Sequence, residues 1–194
     1  LSLEEISAAV SEGARLGIPT AAHCIGGQGL KDCIDGGVDV IEHMYMAAEQ
    51  DVERLAASRC GVDLTSGIFL DPSREEFLSP ANALKVRLNR SRVRENVARI
   101  IKARLPFVLG TDAYHGFLYR EVGYAVELGA DPVTAIQGVT SRAARVCRLE
   151  DRIGKLENGM EADIIAVEGN PLEDVSRLSQ VGLVMKGGGV YRQP

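Results

Sequence analysis

Three polar side chains stand where predicted strands end, which is where parallel α/β proteins place their chemistry. His23 closes an apolar run at residues 18–23, His43 lies near the end of a run at residues 38–44, and Asp112 follows a run at residues 105–110. The carboxyl ends of parallel strands open into one mouth, so the three side chains are predicted to lie together. Neutral imidazole and carboxylate are ligands of Zn²⁺ and similar ions. The set therefore predicts a divalent metal site assembled from separate strands.

These residues also have an ordinary structural interpretation. A single histidine at a strand end is more often a hydrogen-bonded packing residue than a metal ligand. Two histidines near the ends of two predicted strands, with an aspartate after another strand, favour the interpretation as metal ligands. Glu42 precedes His43, and successive side chains of a strand point to opposite faces. We therefore expect Glu42 on the face opposite His43, as a structural acid or a support for the site.

The loop after Asp112 carries two candidate substrate-binding residues, Tyr114 and His115. His115 is predicted to touch the substrate or to shuttle a proton, with an exposed loop histidine as the alternative. Four side chains are predicted to line the mouth: Tyr45, Met46, Thr65 and Tyr114.

Alternating helical and strand-like segments must position these residues, and this alternation is typical of parallel βαβ units. Ser2 and Glu5 predict a capping box that opens a helix through about residue 16. Ser79-Pro80 predicts the start of a long basic helix ending near residue 104, and Asp131-Pro132 begins another helix with Val133, Ile136, Val139 and Ala143 on one face. Residues 61–66 are predicted to form a further strand. From about residue 150 the helical period disappears, and strand-like runs at 162–167 and 181–190 predict a small β appendage.

The composition and net charge of the chain limit the classes of function and partner that we expect. The chain has 194 residues, 45% of them hydrophobic, and a formal net charge of −5. A negative charge disfavours nucleic acid as a partner. No apolar run approaches the roughly 20 residues that span a bilayer, so we expect no membrane partner and a cytoplasmic location. Four cysteines without a C-x-x-C pair predict reduced thiols rather than a zinc knuckle or redox dithiol.

Several motifs together resemble the metal-dependent amidohydrolase superfamily, especially its prolidase-like and imidazolonepropionase-like members. The similarity covers nearly the whole chain. The motifs, in chain order, are Ala22-His23 before a Gly-rich helix start, residues 37–43 ending in His43, residues 110–113 with Asp112, the closing segments 154–165 and 170–174, and a last hairpin at 184–191.

The resemblance implies a (β/α)₈ TIM barrel with one or two divalent metals, Zn²⁺ foremost, that activate water to hydrolyse an amide or cyclic C–N bond. It implies that His23 and His43 are the metal ligands of strands five and six. Asp112 is then the acid of strand eight, which binds metal and takes the proton of the attacking water. The substrate is expected to be a small molecule or dipeptide-like compound.

The chain also departs from the family pattern. It contains three histidines, His23, His43 and His115, so no His-x-His motif for the first strand exists, and the bridging lysine of the fourth strand is absent. The resemblance therefore implies a partial TIM barrel of about strands 5 to 8. Residues 1–148 are expected to form this C-terminal half, and 149–194 the C-terminal part of a small β-sandwich domain.

A half barrel leaves open sheet edges and an exposed inner face. We therefore expect a homo-oligomer, or pairing with an N-terminal half of the same enzyme. Two alternatives stay open. The first is a non-catalytic binding or assembly module, and the second is a metal-dependent deaminase of the same superfamily.

Overall fold

A parallel sheet positions both candidate histidines. A computed structural model describes residues 1–112 and 116–193. Four strands pair in parallel in the order β1-β2-β3-β4, which confirms the predicted α/β class. In chain order this part of the fold consists of α1 (Leu3–Leu16), β1 (Ala21–Cys24), α2 (Gln28–Gly36), β2 (Val40–His43), α3 (Glu49–Ala56), β3 (Gly61–Leu64), α4 (Gly67–Leu70), a 3-10 helix (Pro72–Phe77), α5 (Pro80–Lys102), β4 (Phe107–Leu109), α6 (Leu118–Glu127), α7 (Pro132–Gly138) and α8 (Ser141–Val146).

Local signals explain most helix boundaries. The Ser2 hydroxyl accepts a hydrogen bond from the Glu5 amide, the Glu5 carboxylate accepts one from the Ser2 amide, and Gly17 ends α1 with a φ of 71°. Ser79 caps α5, with Pro80 as its first residue. These starts were predicted from the sequence. The helix predicted after Asp131 is instead divided into α7 and α8, because the backbone at Thr140 (φ −130°, ψ −102°) leaves the helical region.

Strand alternation separates an apolar face of the sheet from a polar one. Ile41 and Val62 are partners in register, and both belong to the core that the helices cover. The neighbouring register row contains His23, Glu42 and Asp63, whose side chains therefore point to the opposite face. This polar face is the one opposite the apolar core.

The sheet is open at both edges. Within residues 1–112 and 116–193, β1 pairs with β2 alone and β4 with β3 alone, and the strands do not close into a barrel.

A second sheet lies in the C-terminal segment. It is antiparallel in the order β5-β6-β7, from β5 (Ile164–Val167), β6 (Val181–Lys186) and β7 (Gly189–Arg192), with a 3-10 helix at Val175–Ser179. The run at 181–190 is thus mostly a hairpin that turns at Gly187 and Gly188 rather than one strand. Val175 and Leu178 pack against the main core, which joins this segment to the parallel sheet. None of the helices in the described ranges is both long and apolar enough to cross a membrane.

Candidate active site

Two histidines meet on the polar face of the sheet. The ring centroids of His23 on β1 and His43 at the end of β2 are 4.6 Å apart, with the rings edge to face at 66°. The structure therefore brings together the two histidines that the sequence singled out.

The backbone at His43 makes this meeting possible. His43 is in register with Cys24, so simple alternation would place its side chain on the face opposite His23. The φ angles of His43 (78°) and Met44 (52°) lie in the left-handed region, which residues other than glycine adopt at an energetic cost. This turn at the strand end directs the His43 ring onto the polar face beside His23.

His43 is held as a buried, neutral imidazole. Its side chain is almost fully buried, and Nδ1 lies 2.7 Å from the Thr65 hydroxyl oxygen. Burial lowers the pKa of His43 and His23 lowers it further, while the carboxylates of Asp112 and Glu42 oppose this shift. An imidazole whose pKa is lowered is neutral near pH 7, and the neutral ring is the form that ligates metals.

Asp112 occupies the loop after β4. Its φ is 47°, its side chain is exposed, and its charge influences the pKa of His43, Tyr45 and Asp63. Across the residues that the structure describes, however, no three His, Cys, Asp or Glu side chains are grouped so that they could hold a metal ion. Asp112 thus lies within electrostatic reach of His43 without completing a three-ligand cluster. Tyr114 and His115 lie outside the described residues.

Glu42 differs from the sequence expectation. It was expected to point away from His43, but its carboxylate oxygen Oε2 lies 4.0 Å from His43 Nε2. The left-handed backbone of His43 explains the error, because it moves the histidine onto the face that Glu42 already occupies.

Asp63 is a site residue that the sequence analysis missed. It stands in register with Glu42, and its Oδ1 is buried without a hydrogen-bond partner among residues 1–112 and 116–193. Burial raises the pKa of Asp63 to about 6, and the charges of Glu42 and Asp112 add to the effect. Gly110 packs against this carboxylate, since a Cβ at residue 110 would lie 2.9 Å from Oδ2. The sequence signal that could have identified Asp63 is an aspartate within a strand, in the same register row as His23 and Glu42.

A buried ion pair supports the Asp112 loop. The Glu121 carboxylate accepts hydrogen bonds from the Gly67 amide at 2.9 Å and from the Arg74 guanidinium at 2.9 Å, and both charged side chains are fully buried. Arg74 also donates to the Thr111 carbonyl at 3.3 Å. The pair therefore ties α4, the 3-10 helix and α6 to the residue that precedes Asp112.

The fold and the site define a class of protein: a parallel α/β protein with a histidine pair at the carboxyl ends of neighbouring strands, where such folds carry active sites. The particular family follows from comparison. The chain belongs to the amidohydrolase family, whose model matches residues 1–190. This confirms the resemblance found in the sequence.

Several known proteins are similar to this chain over part of their length. Ochratoxinase from Aspergillus niger is 32% identical over 206 residues, which cover 100% of this chain and 42% of that protein. Imidazolonepropionase from Desulfotalea psychrophila is 28% identical over 151 residues, covering 75% of this chain and 32% of that protein. The crystal structure of a Xaa-Pro dipeptidase with bound methionine superposes with a TM-score of 0.90 at 30% identity, covering 99% of this chain and 49% of that one. The chain thus spans less than half the length of these relatives.

Proposed function

We propose that this chain forms the C-terminal half of a metal-dependent amidohydrolase that acts on amide or cyclic C–N bonds of small-molecule or dipeptide-like substrates. The observation that carries the proposal is the His23–His43 pair, with ring centroids 4.6 Å apart at the carboxyl ends of adjacent strands. The relatives whose names indicate such chemistry, an ochratoxinase and a Xaa-Pro dipeptidase, support the substrate class.

The donor types on the polar face fit a divalent metal. Two imidazoles, one of them held neutral, together with nearby carboxylates are ligands typical of Zn²⁺. We propose His23, His43 and Asp112 as ligands for Zn²⁺, with one or two metals in a complete barrel. Because the described ranges hold no ready cluster of three donors, completion requires movement of Asp112 or a donor from further strands.

The two unpaired edges of the parallel sheet are the reason for proposing a second half of the barrel. A TIM barrel contains eight parallel strands, and each edge strand of this sheet, β1 and β4, has one neighbour within the described residues. Either a second copy of this chain or an N-terminal half of the same enzyme would cover these edges and the polar face. The fold of residues 1–148 is accordingly proposed as the barrel half, and 149–194 as part of the small β domain.

The chain's own residues are assigned the following chemistry. A bound divalent ion lowers the pKa of water towards about 7 and polarises the scissile carbonyl. His43 stays neutral because it is buried, so it offers a nitrogen lone pair rather than a proton. Asp112 accepts a proton from the attacking water and passes it to the leaving nitrogen. His115 and Tyr114 are proposed to contact the substrate.

Metal titration followed by an activity screen tests the proposal. Co²⁺ added to the purified chain is expected to give visible absorption bands of a nitrogen- and oxygen-ligated ion, and His23→Ala and His43→Ala are expected to abolish them. Cys147→Ser is the matched control, because Cys147 is an exposed thiol that takes no part in the proposed site. The loaded protein is then assayed against Xaa-Pro dipeptides and N-acyl amino acids, with Asp112→Asn expected to be inactive.

The same experiment separates the alternatives. Hydrolysis that depends on metal and on Asp112 supports the amidohydrolase. An absence of both metal binding and hydrolysis, in the chain alone and after it is combined with an N-terminal half of the same enzyme, supports the non-catalytic module instead. Release of ammonia from an adenine-like substrate would support the deaminase. This alternative is favoured by a match of 80 residues, at 34% identity, to an adenine deaminase from Mesorhizobium japonicum.

A further inference from the structure

Three buried side chains form a closed set of hydrogen bonds behind His43. His43 Nδ1 lies 2.7 Å from Thr65 Oγ1, the Tyr45 hydroxyl lies 2.6 Å from the same Oγ1, and it lies 2.9 Å from the Thr65 backbone carbonyl oxygen. All three residues are buried, so their protons must be shared within the set rather than with bulk water.

Counting protons gives one assignment that satisfies all three contacts. A carbonyl oxygen can only accept, so the single phenolic proton of Tyr45 is donated to the Thr65 carbonyl. The contact between the two hydroxyl oxygens then uses the Thr65 hydroxyl proton, donated to Tyr45. Thr65 Oγ1 has no other proton, so its contact with His43 requires that Nδ1–H donates. In the neutral ring the other nitrogen, Nε2, then carries a lone pair.

Packing holds the Tyr45 phenol in this arrangement. Its ring stacks on His43 with centroids 5.4 Å apart and packs edge to face with Phe69 with centroids 4.6 Å apart. The Asn96 side chain donates to the Tyr45 carbonyl at 2.8 Å, which fixes the backbone of the same residue. A tyrosine phenol carries its proton at neutral pH, so it is available as the donor in this arrangement.

We propose that Thr65 and Tyr45 are positioning residues that fix His43 as the Nδ1–H tautomer and so direct the Nε2 lone pair to the polar face. Nε2 is the ring atom that lies 4.0 Å from Glu42 Oε2, on the side where the candidate ligands gather. The consequence for metal affinity rests on the proposed function, whereas the tautomer is a property of the metal-free chain. Mutating a residue that fixes the tautomer of a ligating histidine typically weakens metal affinity by about 10–100-fold.

Nitrogen NMR of the imidazole rings tests the tautomer directly. The metal-free chain is labelled with ¹⁵N-histidine and recorded near pH 7.5, with His23→Gln and His115→Gln used to assign the His43 signals. We expect His43 to show a protonated Nδ1 and an unprotonated Nε2. In Tyr45→Phe the Thr65 hydroxyl proton is free to turn towards Nδ1, so the population is expected to shift to the Nε2–H tautomer. Thr65→Ser keeps the hydroxyl and is expected to retain the original tautomer.

Zn²⁺ affinity, measured by calorimetry on the same variants, gives the second readout. Tyr45→Phe and Thr65→Val are expected to bind Zn²⁺ about 10–100-fold more weakly than Thr65→Ser and the unsubstituted chain. Far-ultraviolet circular dichroism confirms which variants are folded, and Thr65→Ser serves as the conservative rescue.

Each outcome decides between the two proposals. An Nε2–H tautomer in the unsubstituted chain, or an unchanged tautomer in folded Tyr45→Phe, overturns the positioning role. The expected tautomers together with no Zn²⁺ binding by any protein support the positioning role and count against the proposed metal site alone.

Discussion

The buried Arg74–Glu121 pair yields the sharpest stability prediction. In Glu121→Ala the Arg74 guanidinium loses the carboxylate at 2.9 Å, and the Gly67 amide loses its acceptor. Both charges are fully buried, and removing one partner of such a pair costs about 3–5 kcal/mol. Asp71 stays 3.7 Å from Arg74 Nε and offsets part of this loss, so the lower end of the range is expected.

Urea denaturation followed by circular dichroism measures this loss. The matched control is Glu127→Ala, which removes the exposed partner of Arg94 in a pair of 2.7 Å and is expected to cost less than about 1 kcal/mol. Adding Arg74→Met to Glu121→Ala is expected to recover part of the stability, because the buried charge that lost Glu121 is then removed, while Asp71 keeps Arg120 at 2.6 Å. The reasoning is refuted if Glu121→Ala is no more destabilising than Glu127→Ala.

Two further predictions concern Asp63 and its neighbour. Gly110→Ala places a Cβ 2.9 Å from Asp63 Oδ2 and is expected to destabilise the chain by about 1–3 kcal/mol in the same urea assay; a variant as stable as the parent would contradict this packing. Because burial raises the folded pKa of Asp63 to about 6, its stabilising contribution is present at low pH, below the unfolded pKa, and is lost as pH rises through about 6. Asp63→Asn is therefore expected to become more stable relative to the parent as pH rises from 4 to 7.5. If the difference in unfolding free energy between the two proteins does not change across that range, the pKa of Asp63 is not raised by burial.

The arrangement of strands was predictable because it depends on local pattern. Apolar runs bounded by glycine and proline located β1, β2 and β4 to within three residues. The two histidines and the aspartate near their ends indicated the shared mouth. The capping residues Ser2 and Ser79 fixed helix starts for the same reason, since a cap acts on amides two or three residues away.

The side-chain directions at the site were not predictable from alternation. The left-handed backbone at His43 brings it to the face of His23 and Glu42, and no local sequence rule indicated that turn. No local sequence pattern marks Arg74 and Glu121 as buried residues. Their burial depends on contacts with Gly67 and Thr111, which are distant in sequence, and only the folded chain shows it.

Elemental analysis of the purified chain by inductively coupled plasma mass spectrometry, together with its mass in solution, tests the central claim most directly. Near-stoichiometric zinc or another divalent ion in the parent and in Cys147→Ser, but not in His23→Ala or His43→Ala, is the predicted result. Two results would contradict a metal site at the histidine pair. One is the same metal content in all four proteins, and the other is negligible metal in the parent after incubation with Zn²⁺.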